Sequence, residues 1–544
     1  MLRSFHQAVF GMQKALVLLL ATTPAFADVG AISVEVVDAV TRRPVDGVTI
    51  TAESRDGDVR SATTDNGQAL LDSLEDGFFE LRAVSAGYVT AVEPAVRVLE
   101  QRTGRLRFEL QPLSDSMDEI VVVARAREAD PFGAVSDRFL SRDELRNAPG
   151  SGSDVMRALS GLPGVVSNGE FAAFSVRGHG PKSNLIYVDG FPFQQVAHFE
   201  QTLGDESEVL NGGRYSIFAP NAVAGAEFSP GGWSAEFGGR DGSLLQLDVV
   251  DGAPSPVASL RLDLAGAEFL YDGPSGFHEN TSMFLQARRF DFGQLFEIIE
   301  EESLGAPIST DVILKTHTRI DDDDEFEFLA IYAPEENTLD ITHVLAAEEE
   351  DGIEDVALQN EDHDLALIGG TWRRMFGNDG EWTNRIYYRE SDRLSSEGES
   401  FPDLVPPGTP ADQVPVGENL LTIRENESEF GWRSDVSFGN GLGVLRAGLQ
   451  ITSNDLDYST ELREDWIRYI YDSDDPRPPG ANYIVLRPDE IDSIYSASET
   501  NYAVYGEQLF DWGDSNLRAG IRYERNGFGD EDLVSPRFGF NHAI

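Results

Sequence analysis

The sequence predicts a mainly β chain built from an N-terminal β-sandwich, a small mixed α/β domain and a run of transmembrane antiparallel β-barrel strands. Three observations carry this. Residues 28–112 alternate apolar and polar in short runs separated by turn clusters, the pattern of a sandwich. Residues 130–252 combine one helical repeat with brief strands and many glycines. From Pro256 onward longer strands alternate, with aromatic residues near their ends.

Composition limits the functions open to the chain. At 544 residues it is too long for one ordinary domain. A formal charge of −53, from 95 Asp+Glu against 42 Lys+Arg, argues against nucleic acid as a partner, because phosphate binding needs clustered cations. With no cysteine there is no disulfide, thiolate metal site or thiol nucleophile. The eight histidines are scattered without an H-x-x-x-H pair, so neither a catalytic metal nor a cofactor is expected, and no catalytic residue is assigned.

Residues 1–27 read as a secretory signal. Arg3 and Lys14 supply positive charge, Ala15–Ala21 is the apolar core, and Ala25 and Ala27 are the small residues at the cleavage positions. That core is far shorter than the roughly 20 apolar residues of a membrane helix. No later run is longer, so a membrane location requires a barrel.

In the sandwich region Ile32, Val34 and Val36, then Val48 and Ile50, Leu70 and Leu74, Phe79 and Leu81, Val96 and Val98, and Leu106, Phe108 and Leu110 form the candidate core face. Turns at Asp56-Gly57, Asn66-Gly67 and Asp76-Gly77 divide the runs. The stretches PVDGV, TTDNGQA and DGFFELRAVSAGY resemble the carboxypeptidase-regulatory-like, or transthyretin-like, domain, which implies a spacer or docking sandwich. Within the linker 113–129, Asp118, Glu119, Ile120, Val121, Val122, Val123 and Ala124 place four successive β-formers in polar surroundings. Such a segment either closes the sandwich as a last strand or adds to the sheet edge of another protein.

The region 130–252 opens on a helix through Val155, Met156, Leu159 and Leu162, with Ser153 as the expected N-cap, stopped by Gly161, Pro163 and Gly164. Strands are expected at Phe174–Val176 and Leu185–Val188, each closed by a turn, Arg177-Gly178 and Asp189-Gly190. The successive LPGV, SVRG, NLIYVDG and PNAVAGAEFSPGGWSAEFGG segments resemble the plug domain of TonB-dependent outer-membrane receptors. This resemblance implies that residues 118–124 are the TonB box, gripped by the C-terminal domain of TonB and its inner-membrane energising complex. It also implies that Arg177 latches the plug to a glutamate of the barrel wall. The alternative from the residues alone is an exposed turn arginine. Asp189 reads as a turn-former. Trp233 and Phe237 either line a passage or pack.

Beyond residue 253, Leu517, Ala519, Ile521 and Tyr523 oppose Asn516, Arg518, Gly520 and Arg522. Phe430, Trp432, Val436 and Phe438 oppose Gly431, Arg433, Asp435 and Ser437, and Trp382, Ile386 and Tyr388 oppose Thr383, Arg385 and Arg389. Apolar outward to lipid and polar inward is the barrel alternation. Tight turns are expected at Phe376–Gly380, Gly439–Gly443 and Asp511–Asp514, and long acidic loops at Glu390–Glu427 and Asp455–Glu499. The acidic runs Asp321–Glu325 and Glu348–Asp351 read as solvated extracellular loops or strand ends, because neither has calcium-loop spacing. About eleven strands are expected, against the twenty-two of the family's barrel, so residues 253–544 are the first part, about half, of one.

The resemblance therefore implies a receptor for energised uptake of a scarce solute of unreadable type, and not an enzyme. It implies placement in the outer membrane of a Gram-negative bacterium, with the sandwich and box in the periplasm. Outer-membrane lipid and the barrel-assembly machinery are its further partners. The competing reading is a non-transporting surface or adhesion β-protein whose alternating strands form soluble sandwiches.

Overall fold

The computed structural model describes residues 30–38, 43–54, 59–74, 77–88, 90–98, 103–110, 122–123, 137–148, 154–167, 174–199, 213–253, 256–278, 280–299, 305–321, 323–343, 357–377, 380–400, 409–463, 468–470, 484–486, 489–512 and 515–542. The signal-cleavage residues Ala25 and Ala27, Asp118 to Val121, Ala124 and the run Glu348–Asp351 lie outside them. Two compact units divide at Ala126.

The first unit is the expected sandwich. One sheet holds Gln68–Leu74, Gly30–Asp38 and Thr103–Leu110 in that order, the last two parallel. The other runs Val59–Thr63, Thr49–Ser54, Gly77–Val84, Ala91–Val98 and a short Val122–Val123. Ile32, Val34, Ile50, Leu81, Phe108 and Leu110 are fully buried between them. One core position differs from the alternation. Leu70 is exposed and Leu71 is buried, because the pairing shifts by one between Gly30 and Ile32 and Ser73 sits at φ 56. A bulge moves every following side chain to the other face.

The second unit begins with a five-stranded sheet ordered Phe191–Pro192, Leu185–Val188, Leu244–Val249, Val223–Ser229, Arg138–Ser141. Only the Leu185–Val188 and Leu244–Val249 pair is parallel. Helix Arg142–Asn147 is started by a capping box in which Ser141 and Glu144 satisfy each other's end of the turn. The second helix, Val155–Ala158, buries Val155 and Met156 as expected, but its N-cap is Asp154 and not Ser153. Asp154 accepts from the N–H groups of Met156 and Arg157 with one oxygen and from Ser216 N with the other, so the cap also ties a distant strand.

Besides three two-stranded pairs, the rest of the described strands of this unit form one antiparallel sheet running in chain order from Val257–Leu262 to Glu531–His542. Asp324–Tyr332 and Glu335–Leu339 pair with the same two neighbours on either side of Pro334, which has no N–H for the ladder. Counted as one interrupted strand, they bring the sheet to twelve strands, close to the expected number. Its outward side chains Ile368, Ile386, Tyr388, Phe430, Val504, Ile521 and Tyr523 are exposed, while Thr383, Arg433, Arg518 and Arg522 face inward and are buried. An apolar and aromatic outer band over a polar inner face is what lipid demands, and a soluble sheet would dissolve only with difficulty.

Strand length departs from expectation. Ala357–Phe376, Gly380–Ser400, Val416–Asn440, Gly443–Leu462 and Ile491–Asp511 have 20, 21, 25, 20 and 21 residues, where a span needs about 10. Much of Glu390–Glu427 is therefore strand and not loop, with Ser391 paired to Glu427 and Leu394 to Arg424. Likewise Asp455 pairs with Ser498 and Tyr458 with Tyr495. Backbone pairing continues above the lipid, where both faces are wet and the alternation that marks a strand in sequence disappears. Asp321 lies in the tight turn between Ile308–Arg319 and Asp324–Tyr332, where its carboxylate accepts from Asp323 N and Asp324 N. This strand-end turn shares its end of the sheet with the short turn after Phe376, since Asp324 pairs with Arg374.

Candidate functional site

The glycine-rich sheet domain lies against the inner face of the large sheet, and the seam between them concentrates the buried charge. Apolar contact comes first. Ile186, Val188, Phe191, Leu245 and Leu247 share one buried cluster with Phe284, Ile313, Leu329, Leu367 and Tyr387 of the wall. Phe191 meets Tyr387 edge-on, with ring centroids 5.8 Å apart. Gly369 leaves room for the Phe191 ring, because a Cβ there would lie 2.6 Å from it.

Three polar anchors pin this interface. The first is Asp189, held at φ 49 by the Val188-Asp189-Gly190 turn. Its Oδ1 accepts from Val249 N and from Lys315 Nζ, both at 3.0 Å. Lys315, which projects inward from the wall, also reaches Asp251 Oδ1 at 2.6 Å and donates to Val249 O. Burial pushes the Asp189 carboxyl up to about 7 against the pull of Lys315. Asp189 is thus more than the turn-former the sequence suggested.

The second anchor is His198, on the two-residue strand Ala197–His198 that pairs with Tyr215–Ser216. Its Nε2 lies 2.6 Å from Asp311 Oδ1 and its Nδ1 2.8 Å from Glu335 Oε2, both wall carboxylates. Beside it, Phe199 packs with Phe292 and Phe296 of the short helix Phe292–Ile299.

The third anchor is Glu236 in the SPGGWSAEFGG segment. Arg433 Nη2 and Arg446 Nη1 bind its two oxygens, the latter at 3.1 Å. Carbonyls of the same segment accept from further wall arginines: Gly232 from Arg518, Glu236 from Arg522 at 2.8 Å, and Ser234 from Arg537. Glu507 accepts from Ala235 N at 3.2 Å. Trp233 and Phe237 pack with Leu185, Tyr187 and Leu244, and Arg433 lies over the Phe237 ring. These two aromatics pack; they line no passage among the described residues.

Arg177 is not among these three anchors. Arg177 sits at φ 50 in the exposed turn after Phe174–Val176, its guanidinium near Gly231. It makes no ion pair among the described residues, so the burial that would have compelled a carboxylate partner is not met. The observed seam has the opposite polarity at Glu236, with acid on the small domain and arginine on the wall. Of the edge-adding segment, Val122 and Val123 run parallel to Ala91 and Val92 on the sandwich's second sheet, which is the last-strand alternative. The sequence did contain a signal for the missed residues. Asp311 and Lys315 fall on inward positions of an alternating strand, as Arg433, Arg518 and Arg522 were expected to, and a buried charge there requires a partner. No group of three or more acidic or histidine side chains among the described residues converges as a metal site.

Comparison with known families agrees with this architecture. Residues 31–111 match the carboxypeptidase regulatory-like domain, residues 133–241 the TonB-dependent receptor plug domain, and residues 321–544 the TonB-dependent receptor-like β-barrel. No curated protein matches the chain. Among solved structures, the outer membrane transporter YddB from Escherichia coli superposes with a TM-score of 0.51 at 10% identity. That match covers 74% of this chain and 58% of YddB. A chain of the FpvAI–pyocin S2 complex gives a TM-score of 0.50 at 12% identity, covering 78% of this chain and 56% of its own. The chain thus spans under two thirds of the length of these relatives in fold.

Proposed function

The chain belongs to the TonB-dependent outer-membrane receptor family, and on that premise we propose that it serves energised uptake of a scarce solute across the outer membrane of a Gram-negative bacterium. The carrying observation is the seating of the plug on the inner, polar face of a lipid-facing sheet. Part of that seating is apolar, and part is a set of directional charge pairs that can break and re-form as the plug shifts. No bond of the solute is made or broken in such a process, so the plug's charged residues hold and release rather than catalyse.

TonB, driven through its inner-membrane complex, pulls on the box Asp118–Ala124, which lies in the periplasm with the sandwich. Four β-formers in that box suit strand addition, where backbone hydrogen bonds give the affinity. Lipid surrounds the outer apolar band, and the barrel-assembly machinery inserts it.

The absence of cysteine makes the test clean. Ile120→Cys in the outer-membrane-embedded chain should form a disulfide with a TonB C-terminal domain carrying one cysteine on its edge strand. Adding Val121→Pro, which removes a ladder N–H, should cut the yield about tenfold. No disulfide at any position from 118 to 124 would overturn the box assignment and with it the energised reading.

A further inference from the structure

The His198 anchor differs from the other two, because here the plug supplies the cation. We propose that His198 is the positioning residue that clamps the plug's Ala197–His198 hairpin to the wall, as an imidazolium held between Asp311 and Glu335, and that this clamp parts when the plug opens. The second clause rests on the uptake reading; the first stands on geometry alone.

Both ring nitrogens face a carboxylate oxygen, at 2.6 and 2.8 Å, with the ring and both acids buried. A neutral imidazole has one N–H and cannot donate twice. Each acid also accepts from a further donor. Asp311 Oδ2 accepts from Arg288 Nε at 2.6 Å, and Glu335 Oε2 accepts from Phe199 N at 2.9 Å. Arg288 also donates to Ser216 O on the hairpin's second strand, so the same wall charge holds both of its strands.

The other groups around the site leave the balance to His198. His363 approaches Glu335 Oε1 at 3.5 Å, but its Nδ1 lies 3.1 Å from Gln195 Nε2, a donor, and its Nε2 lies 2.9 Å from Ser391 Oγ. That arrangement suits a neutral ring accepting at Nδ1 and donating at Nε2. Glu361 is bound by Arg393 at 2.8 Å, one acid against one base. With Asp311 and Glu335 ionised and Arg288 charged, a neutral His198 leaves one buried negative charge uncompensated; a protonated His198 cancels it. The two carboxylates accordingly hold the imidazole up to about 9, despite burial.

The sign of the pH dependence follows. A histidine raised from 6.5 to about 9 on seating stabilises the closed hairpin fully below 6.5, and this contribution is lost as pH rises through about 9. Ala197, next to the clamp and buried, reports on lifting of the hairpin. In the full chain in outer-membrane vesicles, with neither solute nor TonB present, maleimide labelling of Ala197→Cys is compared at each pH with that of Ser160→Cys. Ser160 is exposed on the plug, so the ratio removes the ionisation of the thiol itself.

The ratio should be flat below pH 6.5 and rise about tenfold by pH 10 as the clamp opens. With Glu335→Gln, which keeps the acceptor for Phe199 N but removes one charge, the rise should move down by about one pH unit. A flat ratio from pH 6 to 10 in the two single-cysteine chains overturns the clamp without the Glu335→Gln variant having to fold. An identical profile in Glu335→Gln overturns it as well. Neither result touches the box test, so loss of the clamp and loss of the uptake reading are separable.

Discussion

The sandwich and the plug are both small β domains, yet they are stabilised in different ways. The described core of the sandwich is its own: Ile32, Val34, Val48, Phe79, Leu81 and Phe108 share one buried cluster drawn from residues 32–110. The plug shares its core with Phe284, Ile313, Leu329 and Leu367 of the wall and adds buried charges that are satisfied only across the seam. A domain that must stay folded on its own keeps its apolar surface inside. A domain that must come away from a wall leaves part of its stability in the contact, where it can be broken.

The largest effect tests that contrast directly. Residues 28–112 expressed alone should unfold in urea as one cooperative transition, because their core is complete. Residues 130–252 alone should show no cooperative transition by near-ultraviolet circular dichroism, since the wall residues of their apolar cluster are missing and Asp189, His198 and Glu236 lose their partners. A sharp transition in the excised plug would show that it closes its own core and would abolish the comparison.

A single side chain sharpens it next. Lys315→Met removes the cation from the Asp189–Asp251 pair while keeping a chain of similar length. The buried Asp189 carboxylate is then without its ion-pair partner, a loss of about 3–5 kcal/mol in plug seating. The check is protease cleavage of the plug in urea, with the barrel followed separately by its gel mobility. Cleavage at the wild-type urea concentration would mean that the Lys315 pairs add nothing to the seating of the plug.

Much of this was legible in the chain, and the rest was hidden for physical reasons. Alternation located the sandwich core and the inward arginines 433, 518 and 522, because a period of two is the direct signature of a half-buried strand. It failed at Leu70, where one bulge inverted the faces, and above the lipid, where strands wet on both sides lose the period while keeping their hydrogen bonds. The anchors were harder. Asp189 stands in a Val-Asp-Gly turn like many others, and His198 lies between ordinary neighbours; each gains meaning only from partners more than a hundred residues away. The Ser141–Glu144 capping box, by contrast, was present in the letters S-R-D-E and needed no long-range contact.

The smallest effect concerns the residue on which the sequence placed the latch. Arg177 extends from an exposed turn whose left-handed backbone is shared with the following Gly178. Truncating an exposed side chain that holds no ion pair among the described residues shifts stability by about 0.5 kcal/mol or less. Arg177→Ala should therefore leave plug cleavage unchanged under the conditions in which Lys315→Met releases it. Faster cleavage in Arg177→Ala would return the latch to the SVRG turn. Unchanged cleavage removes Arg177 from the retention of the plug and leaves Asp189, His198 and Glu236, whose charges are matched within the described wall.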